Sequence, residues 1–125
     1  MRVLFDFASN QVEIVGTEAD WLQFSEYLNS GCGSIELDCS GSALPYDGLA
    51  ECLRIELTTS PLAYIEIIDN KWVRISGSLD SLRKIAVNAS EMRHGDSDNH
   101  LHVDSLILPN AIRDDSTLMV WSRNP

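Results

Sequence analysis

The sequence has no long apolar run, and its hydrophobic stretches fall well short of the roughly 20 residues that a membrane-spanning helix requires. The opening segment Met1–Asp6 also lacks the apolar region and the cleavage site of a secretory signal peptide. We therefore expect a soluble, cytoplasmic protein that does not bind a membrane. At 125 residues, with 44% hydrophobic residues, the chain suits a single domain, 1–125, with its own core.

Basic residues are also scarce. Nine Lys and Arg stand against 19 Asp and Glu, which gives a formal net charge of −10. Nucleic acid binding is disfavoured, because phosphate contacts require clustered Lys and Arg. The acidic excess lies mainly in residues 1–60, which contain ten acids and two bases, whereas residues 61–125 contain nine acids and seven bases. This imbalance indicates a basic partner, or a surface that serves only solubility.

The cysteines form neither a disulfide framework nor a metal motif. Cys32, Cys39 and Cys52 are odd in number and lack the spacing of metal ligands, which favours reduced thiols. Cys32 lies between two glycines and is the candidate for a reactive thiol, although an inert loop thiol or small apolar filler is the simpler interpretation.

Catalytic motifs are missing as well. The segment Gly31–Gly33 is too short for a phosphate-binding loop and has no Lys. Ser97, His100 and Asp104 could be assembled into a Ser-His-Asp set, but no nucleophile-elbow glycines and no oxyanion loop accompany them. We therefore assign no catalytic residue and no cofactor.

The sequence does contain one passage twice. An alternating apolar strand meets a glycine, then a hydroxyl residue, then a pattern of helical period, first at Val12–Thr17 and again at Val73–Ser78. Gly16 and Gly77 allow a sharp change of chain direction without a side-chain clash. The hydroxyl residue that ends each passage is a good helix N-cap, and Asp20 completes a pattern close to a capping box in the first copy.

Two amphipathic helices follow these passages, at about Thr17–Asn29 and Leu79–Met92. Gly31 is placed to end the first helix. Apolar positions at i, i+3 and i+4 predict two buried stripes, namely Trp21, Leu22, Phe24 and Leu28 in the first helix and Leu82, Ile85, Ala86, Ala89 and Met92 in the second.

Eight further segments predict strands, because they alternate polar and apolar residues between turn signals. They are Val3–Phe7, Gln11–Val15, Ser34–Asp38, Leu53–Leu57, Leu62–Ile68, Lys71–Ser76, His100–Asp104 and Thr117–Ser122. Each half of the chain then has the order β-β-α-β-β, with a Leu-Pro pair at equivalent places in both halves.

The predicted fold is α+β: two degenerate repeats, at about residues 1–60 and 61–125, form a mostly antiparallel sheet with both helices on one face. Two separate small sheets are the alternative, which the short link at Pro61 disfavours. We assign Trp21 to the core. Trp72 and Trp121 are either core residues or anchors on the open sheet face, which a partner or a second copy would cover.

His100, His102 and Asp104 share one face of a predicted strand, because side chains two apart point the same way. Two His at this spacing, with a carboxylate, can bind a metal ion, as a metal-dependent enzyme or sensor would. The competing interpretation is a solvent-facing strand, since the equivalent segment Ser34–Asp38 has no His. We assign no metal ligand on this pattern alone.

The second half carries a specific order of elements: a hairpin ending in Val73–Ser78 (V-x-I-x-G-S), a helix centred on Leu82, the strand His100–Asp104 and a last strand. Over residues 62–122 this order resembles the small immunity proteins of bacterial polymorphic-toxin systems, with a fainter likeness over residues 3–58. The resemblance implies a protein that is not an enzyme and that occludes the active site of a cognate toxin, often a basic nuclease. The first half lacks the His pair, so the resemblance assigns no role to His100 and His102.

An acidic protein with an open sheet face suits electrostatic steering towards such a toxin. We expect the partner-binding residues to be acids on the wet strand faces and on the first helix, namely Glu13, Glu18, Asp20, Glu26, Glu36, Asp38 and Glu56. A homodimeric structural or regulatory module, formed through the open face, is the third hypothesis.

Overall fold

The computed structural model describes residues 1–94 and 100–124, and in these residues the chain forms two helices and nine strands. This composition confirms the predicted α+β class. The helices are α1 (Glu18–Ser30) and α2 (Leu79–His94). The strands are β1 (Arg2–Asp6), β2 (Gln11–Gly16), β3 (Gly33–Glu36), β4 (Gly48–Leu49), β5 (Cys52–Leu57), β6 (Tyr64–Ile68), β7 (Trp72–Gly77), β8 (His100–Val103) and β9 (Leu118–Arg123).

The strands form two sheets, so the expected single sheet is corrected. The first sheet has the order β4-β1-β2-β9-β8, and the second sheet has the order β3-β5-β7-β6. Most neighbouring strands are antiparallel, as predicted. The exceptions are β2 with β9 and β5 with β7, which are parallel and lie at the centres of the sheets. β2 and β9 are far apart in sequence, and β6 lies between β5 and β7 in the chain. Alternation of polar and apolar residues does not specify such pairings, so the sequence does not predict them.

Each sheet combines strands from both halves of the chain. The first sheet joins the hairpin β1–β2 to the pair β8–β9, and the second joins β3–β5 to the hairpin β6–β7. The edges also correspond: β4 lies beside β1, and a bridge between Ala63 and Ile112 brings the segment before β9 beside β6. The two halves thus exchange strands in the same way. That they are repeats of one unit stays a prediction.

The buried side chains of both sheets and both helices form one core. The helices lie against each other, and each contacts strands of both sheets. All predicted stripe residues of α2 are buried, as are Trp21, Phe24 and Leu28 of α1. Leu22 was wrongly placed in the stripe and is 38% exposed, because it lies one position beyond the face that the other three define. Within the described residues, neither helix is long and apolar enough to cross a membrane.

The predicted N-caps of both helices and the predicted end of α1 are confirmed, while α2 continues to His94, two residues beyond its predicted end. The Thr17 side chain caps the amide of Asp20, and the Asp20 carboxylate accepts from the Thr17 amide at 2.9 Å, which completes a capping box. Gly31 ends α1 in the left-handed region, at φ 81°, where its amide donates to the Tyr27 carbonyl. Ser78 caps α2 by accepting from the Ser81 amide at 3.1 Å. These ends follow from local chemistry, which explains why the sequence predicts them.

Replacing Asp20 by Asn should destabilise the protein at neutral pH but not in acid. Burial raises the pKa of Asp20, but hydrogen bonds from Thr17 and the nearby Met1 amino group, 3.2 Å away, together hold it below the ordinary 3.8. A carboxyl whose folded-state pKa is lowered stabilises the fold above its unfolded pKa and loses that effect as the pH falls. We expect urea unfolding to show a loss of about 0.3–1 kcal/mol at pH 7, shrinking below pH 3.8. A loss that is the same at pH 7 and pH 2.5 would contradict this assignment.

Candidate functional site

The outer face of the second sheet, away from the core, presents arginines and aromatic rings. Along β5, buried apolar residues alternate with the outward residues Cys52, Arg54 and Glu56. The same alternation in β7 points Trp72 and Arg74 outward. The parallel register places Arg54 directly beside Arg74. We call this surface the arginine–aromatic face and define it by Ser34, Glu36, Cys52, Arg54, Glu56, Tyr64, Glu66, Ile68, Trp72 and Arg74, with Arg113 and Asp115 at its margin.

Two of the three guanidinium groups of this face, those of Arg74 and Arg113, have carboxylate partners. Arg74 lies between two acids, 3.1 Å from Glu66 and 3.6 Å from Glu56. Arg113 stacks on the Tyr64 ring at 4.4 Å and donates to both carboxylate oxygens of Asp115, at 3.0 and 2.7 Å. These pairs neutralise the charges that they join, and the aromatic stacking holds the Arg113 side chain in place.

Arg54 differs from its neighbours. Its guanidinium lies over the Trp72 ring, 4.3 Å from the centroid, and no carboxylate of the described residues lies within 4 Å of it. Like charges placed directly opposite on neighbouring strands repel, and Arg74 faces Arg54 in this way. Arg54 is therefore a positioned cation whose donors remain available to a ligand or a partner.

Three exposed acids, Glu36, Asp38 and Glu51, lie on neighbouring segments at the edge of the second sheet. Glu36 ends the edge strand β3, and the Leu37 amide donates to the Glu51 carbonyl at 3.0 Å, which joins the segments that carry Glu36, Asp38 and Glu51. Hydrogen bonds from the Ser40 hydroxyl and amide lower the pKa of Asp38. In the part of the chain that the structure describes, none of the three acids forms an ion pair. We call this group the acidic edge.

The other predicted partner-binding acids lie elsewhere. Glu56 is on the arginine–aromatic face and pairs with Arg74. Glu18 pairs with Arg123 at 3.3 Å, and Asp20 belongs to the capping box, while Glu26 is exposed on α1. With Glu13 on the outer face of the first sheet, the seven acids do not form one surface. The sequence identifies acids on wet faces but does not show that those faces belong to different sheets.

Glu13 belongs to a hydrogen-bond network on the first sheet. Its carboxylate accepts from the Tyr46 hydroxyl and, at 3.1 Å, from the Ser122 hydroxyl. The Ser122 oxygen also lies 2.8 Å from Nδ1 of His100. The hydrogen bond to Glu13, with burial and the nearby negative charge, raises the pKa of Tyr46 from 10.0 to about 12. Glu13 is thus engaged within the protein and is less available to a partner than the acidic edge.

The proposed metal ligands are only partly brought together. His100 and His102 are both exposed on edge strand β8. Asp104 is buried, and its Oδ1 accepts from the amides of Leu106 and Ile107 at 2.9 and 3.2 Å. Among residues 1–94 and 100–124, no three His, Cys, Asp or Glu side chains are arranged to hold a metal ion.

The Ser-His-Asp alternative finds no counterpart in the described chain. Ser97 lies outside the described residues, and His100 contacts Ser122. All three cysteines are free: Cys32 and Cys39 are exposed, and the half-buried Cys52 has its sulfur 3.2 Å from the Ser34 hydroxyl. The contact with Ser34 places Cys52 within a packed surface, and Cys32 lies exposed between α1 and β3.

Sequence reasoning missed Arg54 and its contact with Trp72. The alternation in each strand correctly marks both residues as outward-facing. Their contact, however, depends on the parallel pairing of β5 with β7, which places Cys52 beside Trp72. The sequence does show an Arg and a Trp at solvent-facing positions of two strands. That these two strands are neighbours is known only from the order of strands in the sheet.

In comparisons with known proteins, no family model, no curated protein and no solved structure matches this chain.

Proposed function

We propose that this protein is a cytoplasmic, non-enzymatic inhibitor that binds and neutralises a basic bacterial toxin, as the small immunity proteins of polymorphic-toxin systems do. The observation that carries the proposal is the acidic edge. Its carboxylates are exposed and unpaired within the described chain, on a protein of net charge −10. The toxin would be a basic protein, such as a nuclease, whose active site is covered in the complex.

Electrostatic steering explains how such a surface would work. Interactions between exposed charges extend over a screening length of about 8 Å at physiological ionic strength. Exposed, unpaired acids at one edge of the sheet therefore raise the rate of encounter with a cationic surface, whereas acids already paired contribute little. On this basis Glu36, Asp38 and Glu51 replace Glu13, Glu18 and Asp20 as the leading contact residues, and Glu26 remains a secondary one.

The lysines and arginines that a nuclease uses to bind phosphate are the natural partners for these carboxylates. An inhibitor that occupies them competes directly with nucleic acid, because both ligands neutralise the same positive charges. The acidic edge thus accounts for both attraction and inhibition without a catalytic step.

The test uses the product of the neighbouring gene, which we expect to be a basic protein. We expect it to form a 1:1 complex and to lose its toxic activity on binding. Changing Asp38→Lys together with Glu51→Lys should slow association about 10- to 100-fold in 50 mM salt, a range typical of steered complexes. Stopped-flow association rates at 50 and 500 mM salt measure this effect, which high salt should largely remove.

A matched control carries Glu91→Lys and Asp114→Lys, which alter the net charge equally at exposed positions on α2 and before β9. Its association should be slowed less than threefold. Equal slowing by both double variants would show that only total charge matters, and the acidic edge would then not be the contact. Absence of both binding and inhibition would overturn the proposed function.

A further inference from the structure

The arginine–aromatic face is the part of this acidic protein where charges nearly balance. It and its margin contain Arg54, Arg74 and Arg113, which are three of the nine Lys and Arg residues, but only four of the 19 acids. Elsewhere the protein is strongly negative. A second copy, which carries the same net charge of −10, therefore meets least repulsion at this face.

The composition of the face is that of a protein interface. Trp, Tyr and Arg are the residues most enriched among the side chains that dominate binding energy. Trp72 and Tyr64 are both half-buried, and each carries a stacked guanidinium that limits its motion. With Ile68 opposite Trp72 across the sheet, the face has an apolar centre with a charged margin.

The unpaired charges are self-complementary. Once the partners of Arg74 and Arg113 are taken into account, one cation and one anion of the face remain without an ion-pair partner among the described residues. They are Arg54 and Glu36, which lie on the neighbouring strands β5 and β3. In a two-fold interface, residue i contacts residue j of the partner and j contacts i. One cation and one anion on the same face can therefore form two equivalent ion pairs between the copies, one on each side of the two-fold axis.

We propose that the arginine–aromatic face binds a second copy of this chain in a two-fold dimer, with Trp72 at the centre and Arg54 of each copy paired with Glu36 of the other. The proposal does not rest on toxin binding, although Glu36 belongs both to this face and to the acidic edge. Strands of four to six residues spaced about 4.8 Å apart give a footprint on the order of 350 Å². This is smaller than the roughly 800 Å² per partner of stable complexes, so the dimer should be weak.

Sedimentation equilibrium of the protein alone, from 5 to about 500 µM, provides the test. We expect Arg54→Glu and Glu36→Arg each to weaken association at least tenfold, because each places like charges together across the interface. The double variant should recover most of that loss, because the pair is restored with its signs exchanged. Trp72→Ala should abolish association within this range.

Asp38→Arg is the matched control. It reverses a charge on the acidic edge just beyond β3, and dimerisation should change less than twofold. Far-UV circular dichroism establishes that every variant is folded. A monomeric mass at the highest concentration would overturn the proposal. The arginine–aromatic face would then be a candidate binding surface for a different protein. A double variant no better than the single ones would also overturn the assigned pair. Both results are independent of toxin binding, which is tested through Asp38 and Glu51.

Discussion

Replacing Trp121 by Ala is expected to lower the free energy of unfolding by about 3–5 kcal/mol, out of the roughly 5–15 kcal/mol typical of a domain. Trp121 lies in β9 and is fully buried. Its ring centroid is 5.1 Å from that of Trp21 and 5.3 Å from that of Phe24, both on α1. The ring therefore connects the first sheet to α1, and its removal leaves a cavity between them.

Urea denaturation followed by far-UV circular dichroism measures this loss without relying on tryptophan fluorescence. Trp72→Ala is the matched control: it removes the same side chain from an outer face and should cost about 0.5–1 kcal/mol, mainly its contact with Arg54. Trp121→Phe should cost less than Trp121→Ala, because it keeps an aromatic ring and removes a buried indole N–H that has no hydrogen-bond partner among the described residues. Similar losses at positions 121 and 72 would contradict the burial described.

The second large effect is expected at Gly77, where Gly77→Ala should destabilise the protein by about 1–3 kcal/mol through overpacking. An added Cβ would lie 2.6 Å from the Ser81 hydroxyl oxygen and 2.8 Å from the Cα of Ala63. The serine can rotate, but the Ala63 backbone is fixed on both sides by hydrogen bonds with Ala111 and Arg113. The clash therefore cannot be relieved by a side-chain movement alone.

Two variants separate these contributions in urea denaturation. Gly77→Ala combined with Ser81→Ala removes the hydroxyl clash and should remain destabilised relative to Ser81→Ala alone, because Ala63 does not move. Gly16→Ala, at the equivalent place in the first half, should cost less. The nearest atom to its added Cβ is the Cβ of Asp20, at 3.0 Å. Full recovery in the Gly77/Ser81 double variant would assign the strain to the serine and not to the backbone.

Gly16 and Gly77 show what a sequence pattern can and cannot predict. Both were correctly placed between a strand and a helix. Neither has a positive φ, so left-handed backbone freedom is not the reason for them, whereas the predicted avoidance of a side-chain clash is confirmed at Gly77. At Gly77 the requirement is close approach to Ala63, a residue 14 positions earlier in the chain. A sequence pattern can therefore locate a glycine without identifying the neighbour that demands it.

The candidate site was predictable to a similar extent. The sequence correctly predicts that Glu36 and Asp38 are exposed and that β5 and β7 each have one wet face. It could not show that Glu51 joins the first two, or that Glu13 is held by Tyr46 and Ser122. Those relations depend on segments that meet only in the folded chain.

By itself the sequence determined the helices, their caps, the tight turns and the inward side of each strand, because these depend on neighbours within a few residues and on hydrophobic period. Only the tertiary structure decided that the halves exchange strands, that two sheets form, and that Arg54 meets Trp72. Alternation specifies which side of a strand is buried but not which strand lies beside it. Packing both sheets and both helices around one core selects those partners.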